Sequence, residues 1–115
     1  MPNRGSQVTG APAVSFAQIK AYADEIARYF RPKRIILFGS YAYGRPNADS
    51  DVDLLVIMPH AGSPPEQAAR IRNTIRAPFA LDLIVRTPRK LQERLAMDDW
   101  FMHEVVEKGR VLHEG

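Results

Sequence analysis

The chain alternates between helical and strand-like spacing of its apolar residues. From Ser15 onward apolar side chains recur at steps of three and four, which predicts an amphipathic helix with Ser15 as its N-cap. Pro32 ends that helix. Residues 35–38 are four consecutive β-formers before a glycine, which predicts a buried strand. Residues 39–50 are rich in Gly, Pro, Asn and Asp, and this composition predicts a short helical turn followed by a loop.

The same alternation continues in the second half of the chain. Residues 52–58 predict a second strand, and residues 81–85 predict a third. Between them, Ser63 and Glu66 fit a capping box with prolines in the first turn, so we expect a helix that begins there and ends at Pro78. This helix should turn Ala68, Ile71 and Ile75 toward the core.

Two helices and a strand complete the predicted elements. The first helix spans residues 87–97, the second begins at Asp98 or Asp99 and ends before Gly109, and the strand spans residues 110–113. In the last helix Phe101, Val105 and Val106 are expected to face inward, and Gly109 follows its end. The order of elements predicts an α/β (α+β) fold with a small mixed β-sheet flanked by helices. A Rossmann fold fits poorly because the G-x-G-x-x-G pattern is missing and the strands are too few.

Length and composition narrow the class of protein further. A chain of 115 residues suits one domain, which we place at residues 14–115, after a Gly- and Pro-rich tail over residues 1–13 that should be flexible. The absence of cysteine excludes a disulfide framework, a thiolate zinc site and a cysteine nucleophile. No apolar run has the length of a membrane span, and no signal peptide opens the chain, so we expect a cytoplasmic protein without membrane contact. The net charge of +3 would suit an anionic ligand.

Three carboxylates carry the chemistry that the sequence suggests. Side chains alternate along a strand, so Asp51 and Asp53 should project from one face. Asp82 interrupts a strand otherwise suited to burial on both faces, where an ionised carboxylate is costly unless it is paired or binds a metal. If the third strand lies beside the second, the three carboxylates share one site. Such a cluster is a natural set of oxygen ligands for one or two Mg²⁺ ions.

Gly39 and Ser40 add a candidate anion site. A glycine after a strand permits close approach of the backbone, and a serine at a helix start offers a hydroxyl and N–H groups to a phosphate. Arg45 is near enough in sequence to assist. Ser40 could also be a plain helix N-cap, a role that can coexist with phosphate binding, and Arg45 could equally be a solvated turn residue.

At these residues the chain resembles a known family. Gly39 and Ser40, separated by ten residues from Asp51-Val52-Asp53, look like the signature of the DNA polymerase β-type nucleotidyltransferase superfamily. The flanking residues, 38–45 and 50–54, are similar to its minimal nucleotidyltransferase (MNT) branch, and the resemblance spans roughly residues 15–113. Asp82 stands where that family has its third carboxylate. Tyr43 stands where many relatives have arginine.

The resemblance implies a polymerase β-like nucleotidyltransferase fold and transfer of AMP from ATP with two Mg²⁺ ions. Asp51 and Asp53 would hold both ions, Asp82 would hold the catalytic one and help to deprotonate the acceptor, and Gly39 and Ser40 would hold the β- and γ-phosphates. It further implies the antitoxin of a toxin–antitoxin pair, which modifies a tyrosine of a HEPN-type ribonuclease toxin and forms a hetero-oligomer with it.

Two alternatives to this interpretation stay open. The chain could be a binding module that neutralises its partner by contact alone, or the catalytic subunit of a small-molecule nucleotidyltransferase. Arg70, Arg72 and Arg76 favour a solvated helix face over an RNA-binding stripe because no aromatic platform accompanies them in sequence. A nucleic-acid partner is therefore not expected. Trp100 and Phe101 suit either a core or a partner interface.

Overall fold

The computed structural model describes residues 14–115, so the tail expected over residues 1–13 lies outside the described residues. Within the described part the elements follow the predicted order. The helices are α1 (Phe16–Phe30), α2 (Ser40–Tyr43), α3 (Pro64–Thr74), α4 (Pro88–Ala96) and α5 (Trp100–Lys108). The strands are β1 (Arg34–Phe38), β2 (Val52–Ile57), β3 (Leu81–Arg86) and β4 (Arg110–Glu114). None of these helices combines the length and the apolar character needed to cross a bilayer.

The four strands form one mixed sheet in the order β3-β2-β1-β4. β1 pairs antiparallel with both β2 and β4, whereas β2 and β3 are parallel. The parallel pair needs a crossover, and α3 supplies it. This topology gathers the carboxyl end of β1 and the amino ends of β2 and β3 at one end of the sheet.

Helices cover both faces of the sheet, so it forms the middle of three layers. The larger core packs α1 and α3 against one face, through side chains such as Ile26, Ile71 and Leu54. The smaller core packs α4 and α5 against the other face, through Leu91 and Val105. Because the central strands are buried on both faces, they need the near-continuous apolar runs that the sequence contains.

Side-chain caps explain where the longer helices begin. The Ser15 hydroxyl accepts from the Gln18 N–H at 3.2 Å, and the Gln18 side chain in turn accepts from the Ser15 N–H, which completes a capping box on α1. Ser63 and Glu66 form the same reciprocal pair on α3, as the sequence predicts. The first N–H groups of each helix have no partner within the helix, so these residues fix the start by satisfying them.

Two details of the predicted helices are wrong. α3 ends at Thr74 and not at Pro78, because Ile75 takes an extended conformation that turns its side chain into the larger core. In α5, Phe101 is 39% exposed, while Met102 and Val105 face the sheet. Packing against β1 decides which side of the helix is buried, and that side carries Met102 and Val105, three residues apart.

Candidate active site

The sheet brings Asp53 and Asp82 side by side. They are direct partners in the parallel β2–β3 register, and Asp53 is also paired with Phe38 on β1. Asp51 lies one residue before β2, at the same end of the sheet. β3 therefore lies beside β2, which is the arrangement that a shared site requires. All three predicted carboxylates lie at one end of the sheet.

The pKa of Asp53 reflects this crowding. Partial burial, followed by the charges of Asp82 and Asp51 and a side-chain hydrogen bond with Asp82, raises the pKa of Asp53 from 3.8 to about 6. Asp53 is half-buried, whereas Asp51 and Asp82 are exposed. The raised pKa therefore belongs to the carboxylate of the three that is least exposed to solvent.

The exposure of Asp82 corrects one sequence-based expectation. The run around it suggested a strand buried on both faces, in which a carboxylate would be costly. β3 is instead the edge strand of the sheet, and the side chain of Asp82 lies in solvent near the start of that strand. An ionised Asp82 therefore carries little desolvation penalty, and its position beside Asp53 is what connects it with the site.

Gly39 is required by its contact with Asp53. Its φ angle of 73° lies in the left-handed region, and a Cβ at this position would overlap the carboxylate oxygen Oδ2 of Asp53. The backbone after β1 consequently passes directly against the carboxylate of Asp53. This contact is a physical reason for the sequence pattern in which Gly39 is followed, at a distance, by Asp51-Val52-Asp53.

Ser40 lies at the start of α2, but Gly39 and not Ser40 is the N-cap, and Gly39 provides no side-chain cap. The plain-cap alternative for Ser40 is therefore wrong. Ser40 is half-buried at the first position of α2, and the N–H groups of Ala42 and Tyr43 donate to the Gly39 carbonyl. Arg45 is exposed in the loop that follows, and within residues 14–115 it forms no ion pair with the carboxylates.

The loop before β2 has a fixed internal structure that sequence reasoning missed. The Asn47 side-chain oxygen accepts from the Asp49 N–H at 2.8 Å, and the Ser50 hydroxyl accepts from the Asn47 N–H at 2.9 Å. The Ser50 N–H donates to the Asn47 carbonyl at 3.1 Å. These bonds fix the segment that delivers Asp51. The signal in the sequence was the Asn-x-Asp-Ser string, whose residue types bond to their own backbone.

The aromatic side of the site is formed by α2 and α5. Phe38 and Phe101 meet edge to face, with ring centroids 5.5 Å apart, next to the start of α2. The Tyr43 hydroxyl donates to a Glu104 carboxylate oxygen at 3.4 Å, so the side chain is directed to α5. Trp100 is 74% exposed, which excludes the core role considered for it.

The three carboxylates fit a divalent cation by charge. Within residues 14–115, no three Asp, Glu or His side chains as they stand form a group that could hold a metal ion. Burial first, and then the charges of Asp82 and Asp51, nevertheless raise the pKa of Asp53, and a bound cation would offset both effects. Oxygen donors of this kind are also the ligands that Mg²⁺ prefers. The assignment of Asp51, Asp53 and Asp82 as ligands stays a prediction.

Comparison with known proteins identifies the family. Among solved structures, the chain is similar to one from a crystal structure of a mutant of the toxin–antitoxin pair MntA–HpeT, with a TM-score of 0.54 and 19% sequence identity. The match covers 84% of this chain and 73% of that one, and at this identity it establishes a shared fold. No curated protein matches the sequence. The family model described as nucleotidyltransferase domain matches residues 19–114, which is most of the chain. The chain therefore belongs to the nucleotidyltransferase domain family, as its Gly-Ser and Asp-x-Asp residues predict.

Proposed function

We propose that this nucleotidyltransferase transfers AMP from ATP to a hydroxyl group of a protein, using Mg²⁺. The observation that carries the proposal is the contact of Gly39 with Asp53, which is itself paired in register with Asp82. A close backbone approach and adjoining carboxylates are what a metal-bound triphosphate requires. Family membership supports nucleotidyl transfer; the choice of ATP and of a protein acceptor rests on the resemblance to the MNT branch.

The residues have separate roles in this proposal. Asp51 and Asp53 would hold two Mg²⁺ ions, and Asp82 would share the ion nearest the acceptor. Gly39 and the N–H groups at the start of α2, with the Ser40 hydroxyl, would hold the β- and γ-phosphates. Arg45 would add positive charge from its loop. When bound, the ions would neutralise charge on the triphosphate.

The proposed reaction is an in-line displacement at the α-phosphorus. The acceptor oxygen forms a bond to that phosphorus while the bond from the phosphorus to the bridging oxygen of the β-phosphate breaks, and pyrophosphate leaves. The acceptor proton passes to the Asp82 carboxylate, which is exposed and so can meet a hydroxyl that arrives from outside. Positioning and charge neutralisation accelerate the step without a covalent enzyme intermediate.

We further propose that the acceptor is the toxin of a toxin–antitoxin pair, a tyrosine of a HEPN-type ribonuclease, and that the two proteins form a hetero-oligomer. Support comes from the MNT resemblance and from the shared fold with a chain from a toxin–antitoxin crystal structure. An open site at one end of the sheet suits a macromolecular acceptor, because the side chains of Asp51 and Asp82 are exposed there.

Transfer of α-labelled ATP with Mg²⁺ tests the catalytic proposal. Wild type and Asp51→Asn are incubated with the neighbouring gene product as acceptor, and with Asp49→Asn as the matched control. Asp49 is exposed in the same loop but outside the carboxylate trio. We expect a labelled protein band that Asp51→Asn reduces by about 10²-fold or more and that Asp49→Asn preserves.

Other outcomes identify the alternatives. Normal transfer by Asp51→Asn would contradict the assignment of the carboxylates. If Asp51→Asn transferred no label but still neutralised the partner in cells, contact alone would be the operative function. Label found only in small, non-protein products would instead indicate the catalytic subunit of a small-molecule nucleotidyltransferase.

A further inference from the structure

The outer edge of β3 has no neighbouring strand within residues 14–115. In the parallel ladder, the Val52 N–H donates to the Ala80 carbonyl at 2.9 Å, and the Met58 N–H donates to the Arg86 carbonyl at 3.0 Å. Backbone groups of alternate residues in a strand point to opposite sides. Those directed away from β2 therefore belong to Leu81, Leu83 and Val85.

Two arginines already occupy the ends of this edge. The Arg72 guanidinium on α3 donates to the outward carbonyl of Leu81 at 2.8 Å. The Arg86 guanidinium donates to the outward carbonyl of Val85, also at 2.8 Å. Between them, the N–H and carbonyl of Leu83 have no hydrogen-bond partner within residues 14–115. The edge is thus an unpaired strand segment with a positive charge at each end.

A cleft of about 380 Å³ runs along the same edge, between β3 and α3. On the helix side its lining consists of small or rigid side chains, and Arg72 and Arg86 complete its ends. The helix residues concerned are Pro64, Pro65, Ala68 and Ala69. Such short side chains leave space beside the strand. An extended backbone can therefore lie in the cleft and reach the free groups of Leu83.

We infer that this edge binds an extended acidic segment of a partner protein, which adds to the sheet as a further strand. Its backbone would pair with the N–H and carbonyl of Leu83, which keeps 6% of its surface exposed, and its carboxylates would pair with Arg72 and Arg86. Each guanidinium has five N–H donors, so it can keep its carbonyl and bind a carboxylate as well. Arg72 and Arg86 favour an acidic occupant, whose carboxylates would lie on the α3 side because the exposed Asp82 projects from the opposite face of β3 to Leu83.

The same features disfavour two other occupants. A second copy of the chain, paired edge to edge, would bring two sets of Arg72 and Arg86 together and repel itself. Single-stranded RNA would gain from an aromatic side chain on which bases stack, and the cleft lining includes none. This inference does not depend on AMP transfer, because the binding edge uses neither the carboxylates nor Gly39.

The test uses the full chain and a fluorescein-labelled peptide of about eight residues that alternates Val and Glu, a length typical of an added strand. Fluorescence polarisation measures its affinity, and hydrogen exchange measures protection of individual amides. We expect binding to slow exchange at Leu83. Arg72→Glu and Arg86→Glu should each weaken binding roughly tenfold or more. Arg28→Glu is the matched control, since Arg28 is exposed on α1, outside the cleft lining, and the substitution makes the same charge change.

Several results would overturn the inference. The inference is wrong if the Val-Glu peptide does not bind at concentrations up to millimolar. It is also wrong if a Val-Lys peptide binds with the same affinity as the Val-Glu peptide. Unchanged affinity in both arginine variants, or protection at amides other than those of β3, would do the same. A dimer in sedimentation equilibrium that Arg72→Glu alters would assign the edge to a second copy. Tighter binding of a single-stranded RNA that both variants abolish would assign it to nucleic acid. Thermal unfolding of each variant confirms that the protein tested is folded.

Discussion

At the scale of single residues, Asp53 lies where an ionised carboxylate destabilises the folded protein, although the proposed metal site needs that carboxylate. It is half-buried, lies against Gly39 and faces two other carboxylates. If this position served stability alone, an uncharged side chain would be the more stable choice. The raised pKa of about 6 records what the arrangement costs the folded state at neutral pH.

Asp53→Asn should therefore stabilise the protein while abolishing activity. Because the folded-state pKa lies above the unfolded one, ionisation of Asp53 destabilises the fold above pH about 6, and stability is recovered as the pH falls toward 3.8. We expect the variant to gain about 1–2 kcal/mol at pH 7.5, after allowance for solvent screening, and nothing near pH 3.5. Urea unfolding in EDTA at both pH values measures the difference. A variant no more stable than wild type at pH 7.5 would show that burial and the neighbouring carboxylates do not destabilise the ionised Asp53.

Gly39→Ala should destabilise more than the matched change Gly62→Ala. Both glycines have positive φ, 73° and 77°, so both substitutions cost about 1 kcal/mol for conformation. The new Cβ at position 62 meets the exposed carboxylate of Glu66, which can move at the cost of its bond to the Ser63 N–H, whereas at position 39 it overlaps the confined carboxylate of Asp53.

We therefore expect Gly39→Ala to cost about 2–4 kcal/mol in urea unfolding. The difference between the losses in unfolding free energy of Gly39→Ala and Gly62→Ala should shrink when Asp53→Ala is added, because the overlapping carboxylate is then gone. Equal losses at the two glycines would mean that the contact with Asp53 is not tight.

At the scale of elements, α1 is joined to the end of α3 by one buried hydrogen bond. The Tyr22 hydroxyl donates to the Ile75 carbonyl at 2.9 Å. Ile75 has just left the helix, so its carbonyl would otherwise be buried without a partner. Burial also raises the pKa of Tyr22, which keeps the hydroxyl protonated and able to donate.

Tyr22→Phe should cost about 1–2 kcal/mol, because it leaves the Ile75 carbonyl buried and unsatisfied. Tyr29→Phe on the same helix provides the control, since Tyr29 is 63% exposed and should change stability by less than about 0.5 kcal/mol. Urea unfolding of both variants measures the difference. Similar values for the two would exclude a stabilising role for the bond.

The elements themselves could be predicted from the sequence to a large extent. Ser15 and Ser63 are local signals, because their hydroxyls bond to N–H groups three residues away. The end of α3 could not be predicted in this way. Pro78 restricts the residue before it but does not require the helix to continue to that point, and burial of Ile75 ends it earlier.

At the scale of the whole molecule, the sheet depends on both helical layers and on one irregularity. The β1–β4 register pairs Ile35 with His113 and Ile36 with Val111, so Leu112 is the extra residue of a bulge. Its side chain is buried in the larger core beside α1. Val111, next to it, is 43% exposed.

Leu112→Ala should cost about 2–4 kcal/mol, since it removes a buried side chain and leaves a cavity under β4. Val111→Ala on the same strand should cost at most about 1 kcal/mol. Thermal or urea unfolding separates the two cases. If Val111→Ala lowered the free energy of unfolding more than Leu112→Ala, Val111 and not Leu112 would be the residue that the bulge directs into the core.

The sequence by itself determined the order of the elements, the start of the capped helices and the family. These properties depend on neighbours in the chain: a cap and its N–H groups, an apolar run, and the spacing from Gly39 and Ser40 to Asp51 and Asp53. The assignment to the nucleotidyltransferase domain family confirms the last of these.

Only the tertiary structure decided which strand lies at the edge. That arrangement exposes Asp82, although its flanking residues suggested burial, and it pairs Asp82 with Asp53. It also brings Arg72 and Arg86 to the unpaired carbonyls of β3. The rotation of α5 that exposes Phe101 and buries Met102 arises in the same way. The physical reason is common to these cases: the burial of a side chain depends on what packs against its strand or helix, and residues distant in sequence supply that packing.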